Sequence, residues 1–288
     1  MLRPFHLKRL LAALLAATGL PAVLIARQGR QPAFRIVNLH DVPPRLAGAF
    51  ETQVRLLGRH FEPSNPAALQ RFIRKDPPPP VGKPHLLFTF DDGLRSGHEV
   101  VAPLLEQHGC RGIFFVPAAV LELPAERQAD WARDHRIFPG DPPEPGQRLF
   151  LDIAQCRDLM DRGHAIGCHG LTHVRLTADL GSQRLREETI GARERMETLL
   201  DRPVTTFAWI GGEIRSYCRE AALLIERANF QEVFLTNHAL ITPATKPRLL
   251  DRSHLEADFS PALTLFQVCG LMDLLYRRKR LAVHRLAG

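Results

Sequence analysis

Two short stretches hold the residues whose types and spacing could do chemistry: Thr89-Phe90-Asp91-Asp92-Gly93 and His169-Gly170-Leu171-Thr172-His173. Adjacent carboxylates repel each other, and a divalent cation is the usual compensation. The bland alternative is a turn or a helix cap, since Asp-Gly is common in both. Two histidines four residues apart can share one metal if the backbone between them turns helically. That spacing alone says little, because 13 histidines in 288 residues produce it by chance. The zinc-protease motif would need Glu directly after the first histidine, and Gly170 stands there. Joined, the two stretches say more. One aspartate with two histidines makes a three-ligand set that leaves coordination positions open for water and substrate, the catalytic arrangement of zinc. The second aspartate is then free to act as a base.

The surrounding elements bring both stretches to one face. Leu86 to Phe90 is a continuous apolar run that ends at Asp91, and Ala165 to Cys168 is a short strand that ends at His169. Further strands are expected at Phe34 to Leu39, Gly112 to Val116, Thr205 to Ile210 and Glu232 to Leu235. Helical spacing covers Phe50 to Phe61, Asn65 to Arg74, Glu99 to His108, Asp152 to Asp161, Ser182 to Leu200 and Cys218 to Ala228. Pro77 to Pro80 reads as a stiff linker, and the proline-rich stretch 122–147 as an insertion or long loop at the lip of a site. Strand and helix alternate, so the fold class is α/β with a mostly parallel sheet, either a barrel or a doubly wound sheet. In either case sites form at the carboxyl ends of strands, where Asp91, Asp92, His169 and His173 stand.

Composition sets bounds on the function. A hydrophobic content of 45% and a charged content of 24% are ordinary for a globular chain. The net charge of +7 gathers partly at the ends, in Arg3, Lys8 and Arg9 and in Arg277-Arg278-Lys279-Arg280. Basic ends suit an anionic membrane surface, and a solvated face is the commoner meaning. No aromatic residues interleave with the basic ones, which argues against a nucleic-acid partner. Five cysteines, odd in number and without C-x-x-C, argue against a disulfide framework or a zinc knuckle. Leu10 to Ala26 is uncharged, shorter than a spanning helix, and interrupted by Gly19 and Pro21. It reads as a signal core, a helix lying on a membrane, or one packed on the domain. Residues 1–33 are therefore expected to form a membrane-associated or packed helix, 34–275 the main domain, and 276–288 a basic tail.

The paired motifs resemble those of the NodB-type polysaccharide deacetylases, carbohydrate esterase family 4. Thr89 to Gly93 matches the first family motif as it stands. His169 to His173 matches the second, with Gly170 in place of a hydroxyl residue. Gly163-His164-Ala165-Ile166-Gly167 is similar to the approach to that motif, and Asn38-Leu39-His40-Asp41-Val42 resembles the Y-H-x-V start of one branch. The resemblance spans roughly residues 34–275.

It implies a distorted (β/α) barrel of about seven strands and a hydrolase that removes N-acetyl groups from the amino sugars of a polysaccharide, oligosaccharide or glycolipid. It further implies one divalent metal ion, zinc, bound by Asp92, His169 and His173, with Asp91 as general base. His40 would protonate the departing amine, with His254 and His238 in reserve. Trp209, in a segment that matches the third motif, would form a sugar-stacking wall or else be buried. Ile210 replaces the family proline there, and the arginine that orients the base is absent; Arg215 and Arg252 are the substitutes at hand. That departure keeps open a second reading, a glycan-binding or assembly protein without activity. A three-ligand site also fits another metal-dependent hydrolase, such as a phosphodiesterase.

Overall fold

The computed structural model describes residues 4–76, 82–141 and 146–288. The chain opens with α1 (Pro4–Ala17) and α2 (Leu20–Gln28). It continues through β1 (Phe34–Leu39), α3 (Ala47–His60), β2 (Glu62–Pro63), α4 (Pro66–Ile73), β3 (His85–Phe90), α5 (Ala102–Gln107) and β4 (Gly112–Val116). Then come α6 (Ala125–Asp134), α7 (Ile153–Asp161), β5 (Ala165–Cys168), α8 (Ser182–Arg186), α9 (Ala192–Leu200), β6 (Thr206–Ala208), α10 (Arg219–Arg227) and β7 (Glu232–Leu235). The end is β8 (Leu250–Asp251), β9 (Ser253–His254), α11 (Pro261–Val268), α12 (Leu271–Leu275) and α13 (Arg277–Ala287).

All named strands pair in parallel, in the order β8-β7-β6-β5-β4-β3-β1-β9, with β2 beside β3. The two outermost strands of this row, β8 and β9, are separated by one residue, Arg252. That single residue draws the two edges together and makes the sheet a nearly closed barrel. The register levels the carboxyl ends: Leu39 pairs with Phe90, Phe90 with Phe114, and Val116 with Cys168. His40, Asp91 and His169 therefore leave the barrel at one rim.

Alternation along each strand sorts side chains into two layers. Phe34, Ile36, Leu87, Ile113, Phe115, Ala208, Phe234 and Leu250 form one buried cluster, plugged by Leu69 and Phe72 of α4. Their neighbours Val37, Leu39, Leu86, Phe88, Phe90, Phe114 and Val116 pack with the helices. By the same alternation Thr89 and Asp91 continue the inner row begun by Leu87, and Arg252 the one begun by Leu250.

Local chemistry explains where the helices start. Asn65 caps α4 by accepting from the Ala68 amide, with Pro66 at the first turn, and Asp152 and Gln155 form a capping box on α7. Three expectations change. The stretch 122–147 holds the helix α6, because Gln128 and Ala132 find buried places under the loop. The helix expected over 182–200 contains a π turn, Glu187–Gly191, between α8 and α9. The expected basic tail is α13, with Val283 and Ala287 buried and Arg280 turned inward to the carbonyls of Asn237, His238 and Asp273. The proline linker at 77–80 and residues 142–145 of the loop lie outside the described residues. β2, β8 and β9, two residues each, are too short to leave a periodic signal.

Gly19 takes a left-handed conformation and Pro21 opens α2, so α1 and α2 meet at a bend of 83°. Among the described residues no single helix is long and apolar enough to cross a membrane. α1 packs through Ala12 on Leu263, Phe266 and Met272 of α11 and α12.

A buried arginine ties these ends to the barrel. Arg35, on the outer side of β1, donates to both carboxylate oxygens of Asp273 (2.8 and 3.0 Å), to Gln28 Oε1 (2.9 Å) and to Ser253 Oγ (3.2 Å). Removing one partner of such a pair strands the other charge in the core. Asp273→Ala should therefore cost about 3 kcal/mol of stability in urea unfolding. Replacing Arg35 by Met together with Asp273 by Leu should recover most of that loss, and equal destabilisation by the single and the double change would refute the account.

Candidate active site

Asp92 and His173 both adopt positive φ, 73° and 58°, with Gly93 at 66° and Gly170 at 76°. Non-glycine residues rarely hold such angles without a surrounding structure that enforces them. The effect is to fold each strand exit back over the rim. Asp92 Oδ1 comes to 3.1 Å from His173 Nε2 and 3.6 Å from His169 Nε2. The three ligand atoms lie within 4.8 Å of one another. The histidines do not converge through a helical turn, as their spacing alone suggested; a glycine bend brings them together. A Cβ on Gly170 would stand 3.0 Å from Glu188 Oε2 and 3.3 Å from Ile210 Cδ1, at a φ that disfavours side chains. This accounts for the glycine in place of a hydroxyl residue.

Both imidazoles are aimed by their other nitrogen. His169 Nδ1 is 2.9 Å from the Ala208 carbonyl and His173 Nδ1 is 2.9 Å from the His135 carbonyl. A carbonyl accepts only, so each Nδ1 carries a proton, and it is each Nε2 that is turned toward Asp92. The connecting bend hangs on Glu188, which is fully buried in the π turn. It accepts from the amides of Leu171 (2.8 Å) and Thr172 (2.9 Å) and from the Thr172 hydroxyl (2.5 Å). Arg184 balances its charge at 2.8 Å. A carboxylate with two imidazoles pinned in this way fits a divalent ion: the set is borderline in softness, open on one side, and already oriented.

Asp91 turns the other way, into the barrel. Arg252 grips it with two parallel hydrogen bonds, Nη1 to Oδ1 at 2.6 Å and Nη2 to Oδ2 at 2.8 Å. Arg252 also donates to Thr89 Oγ1 (3.1 Å) and to the Leu235 carbonyl (3.2 Å), and it lies over the Phe115 ring at 5.3 Å. Burial pushes the Asp91 carboxyl up, but the Arg252 guanidinium and the His169 charge outweigh it and hold the carboxyl below its ordinary range. Burial likewise pushes Asp92 up, and hydrogen bonds from His169 and His173 bring it well below. Arg252 is thus the residue that places this carboxylate. Arg215, the other arginine considered, is exposed.

Around this centre opens a cleft of about 1010 Å³, lined among others by Asn38, His40, Asp91, Asp92, His169, His173, His254, Glu256, Tyr276 and Lys279. It is at the upper end of the range for small-molecule sites. His40 stands with its ring 5.7 Å from that of His254, and His254 Nε2 is 2.9 Å from Glu256 Oε1. Asp41, next in sequence to His40, does not serve it. Its oxygens accept from Ser96 Oγ (2.5 Å) and the Gly140 amide (2.7 Å).

Trp209 does not form a stacking wall. It is 1% exposed, with its ring against Tyr217 and Phe207, so no face is free for a sugar. Burial takes the imidazole of His238 down to about 3, which keeps it neutral and unsuited to donate a proton. Burial pushes the Cys168 thiol up to about 12, so it stays protonated.

The sequence model of a family described as polysaccharide deacetylase matches residues 79–230, which include Asp91, Asp92, His169 and His173. No curated protein matches the chain. Among solved structures, the Streptococcus pyogenes deacetylase PplD in complex with acetate is 16% identical, with 83% of this chain and 99% of that one covered at a TM-score of 0.63. IcaB from Ammonifex degensii is 14% identical, with 84% and 97% covered at 0.60. The BpsB deacetylase domain from Bordetella bronchiseptica is 17% identical, with 78% and 96% covered at 0.59. At these identities the likeness is one of fold. It corresponds to the parallel barrel built above, while Arg252, His254 and Glu256 lie beyond the family match.

Burial pushes His173 down, but the hydrogen bond and charge of Asp92 prevail and raise it above the ordinary histidine value. Its Nε2 must lose that proton before it can hold a cation. Divalent-ion affinity of the metal-free chain should therefore rise with pH over roughly 6 to 8, with proton release on binding. Calorimetry in buffers of different ionisation enthalpy measures the protons, and a pH-independent affinity would contradict the arrangement.

Proposed function

The chain belongs to the polysaccharide deacetylase family, hydrolases of N-acetyl amide bonds, and from this we propose the particular chemistry of its site. The reading is a hydrolase that removes N-acetyl groups from amino sugars of a polysaccharide, oligosaccharide or glycolipid, using one divalent ion, zinc, held by Asp92, His169 and His173. The observation that carries it is the convergence of those three donors beside a carboxylate locked in place by Arg252.

A bound divalent ion would act as a Lewis acid toward the acetamide carbonyl and toward water. Asp91 is the general base. Its low pKa keeps it ionised at neutral pH, and each of its oxygens retains a lone pair after bonding Arg252. It receives a proton from the attacking water while Arg252 fixes its plane. His40 is the proton donor to the departing amine. It follows the end of β1, which pairs with the end of β3 that bears Asp91, so acid and base stand on neighbouring strands of one rim. His254 lies behind it as the alternative donor. Of the competing readings, a non-catalytic glycan binder drew its support from the missing third-motif arginine. Arg252 offers such a group from the link between β8 and β9, which favours catalysis.

Asp91→Asn keeps the shape of the side chain but removes the charge that accepts the proton. Acetate release from N-acetylated oligosaccharides should fall by at least a hundredfold, with one zinc still bound. Loss of the metal in this variant would show that the two aspartates have the opposite roles.

We further propose that the protein works at a membrane surface. Leu10, Leu11, Leu14, Leu20 and Val23 of α1 and α2 are exposed, as are Leu274 and Leu275 of α12, which packs with α1. Arg277 and Arg278 follow directly, and Tyr276 and Lys279 line the cleft, so the apolar ridge adjoins the site. A leucine ridge flanked by cations suits an anionic bilayer. The full chain should float with vesicles containing phosphatidylglycerol, and Leu10→Asp with Leu14→Asp should abolish flotation. Equal recovery of both proteins with the vesicles would sink the proposal.

A further inference from the structure

The cleft contains a second group of cation donors that the deacetylase chemistry does not need as a ligand set. His40 at the end of β1, His254 in β9 and Glu256 just beyond it offer three ligand atoms within 4.8 Å of one another. They come from two adjacent parallel strands, with Asn38 paired to His254. All three residues are partly exposed to the cleft and within reach of an ion from solution. His40 makes no hydrogen bond to protein among the described residues, and Nδ1 of His254 is likewise without one there. His40 is also near enough to Asp92 and to Glu256 to act electrostatically on both.

The charges of the cleft rank the two donor sets. Asp91 is neutralised by Arg252. Asp92 supplies the one carboxylate of the first set and Glu256 the one carboxylate of the second. The first set is buried or nearly so, and its rings are held by carbonyls. The second is looser and half open to water, and an ion in it would be repelled by an ion in the first.

We propose that His40, His254 and Glu256 form a second, weaker divalent-cation site, and that zinc bound there inhibits the enzyme by occupying the nitrogen with which His40 passes a proton to the leaving amine. The inhibition rests on the role of His40 given above, whereas the binding does not.

Zinc titration of the metal-free full chain by calorimetry tests the site. Two events are expected, the second at least tenfold weaker than the first. Acetate release should rise to a maximum near one equivalent of zinc and fall with excess. Glu256→Ala, at a side chain 41% exposed, removes a ligand at little expense to the fold. It should abolish the second event, keep the first, and move the falling limb to at least tenfold higher zinc. Asp92→Asn should do the converse, losing the first event and keeping the second. A wild-type chain that saturates at one ion with millimolar zinc would overturn the proposal. So would a second event unchanged in Glu256→Ala and in His254→Ala, since that would place the ion on other surface groups. Thermal unfolding by circular dichroism verifies that each variant is folded. If no substrate releases acetate, the deacetylase reading fails, yet the calorimetric stoichiometry still decides this site.

Discussion

The pair of hydrogen bonds between Arg252 and Asp91 is the contact on which the rest of the structure depends. A buried guanidinium is costly unless its donors are matched, and here they meet both carboxylate oxygens, a threonine hydroxyl and a carbonyl. Arg252 is also the one residue between β8 and β9, the two edges of the sheet. Closing the barrel and orienting Asp91 are therefore the same event. If Asp91 were not there, the inward arginine would have no anion. If the barrel did not close, Asp91 would be a carboxylate alone in an apolar interior, where it would take up a proton and lose its basicity.

The group of Asp92, His169 and His173 is supported in a different manner. Asp92 and His173 sit in positive-φ turns, a local cost repaid by contacts one layer out. Glu188 is central to this layer. Buried in a π turn, it gathers two amides and a hydroxyl of the His169–His173 bend. The extra residue of a π turn disturbs a helix, and such turns recur at functional sites. Here it puts a carboxylate where the bend requires one. The carbonyls of Ala208 and His135 then fix the ring orientations, so the end of β6 and the residue that closes α6, far apart in sequence, share in aiming two side chains.

Taken as a whole, the rim divides its charge by function. Asp91 is matched to Arg252, Asp92 to two imidazoles, and Glu256 to His254. Each carboxylate has its own partner, so three acids occupy one cleft while remaining ionised. This separation lets neighbouring residues in the chain, Asp91 and Asp92, take different parts.

Much of this was legible in the residues alone. The apolar runs that end at Asp91 and His169, the alternation of strands and helices, the helical spacing that begins at Asn65 and at Asp152 and the break at Gly19 and Pro21 are local signals, because periodicity depends on neighbours in sequence. The grouping of one of the two aspartates with His169 and His173 was legible too, since parallel strands bring their carboxyl ends to one face, and the family resemblance pointed to Asp92 as that one. Other features were decided by tertiary structure. That Arg252 rather than Arg215 meets Asp91 could not be read, because it links two strands of two residues each with no periodic pattern, and only closure of the barrel sets it against Asp91. Trp209 looked like a wall for sugar and is packed away, since its exposure depends on Tyr217 and Phe207. Asp41, next to His40 in the chain, holds Ser96 and Gly140. Sequence neighbours on a strand point to opposite faces, so chemistry that joins residues across the barrel is written in its register and closure, and those are properties of the folded chain.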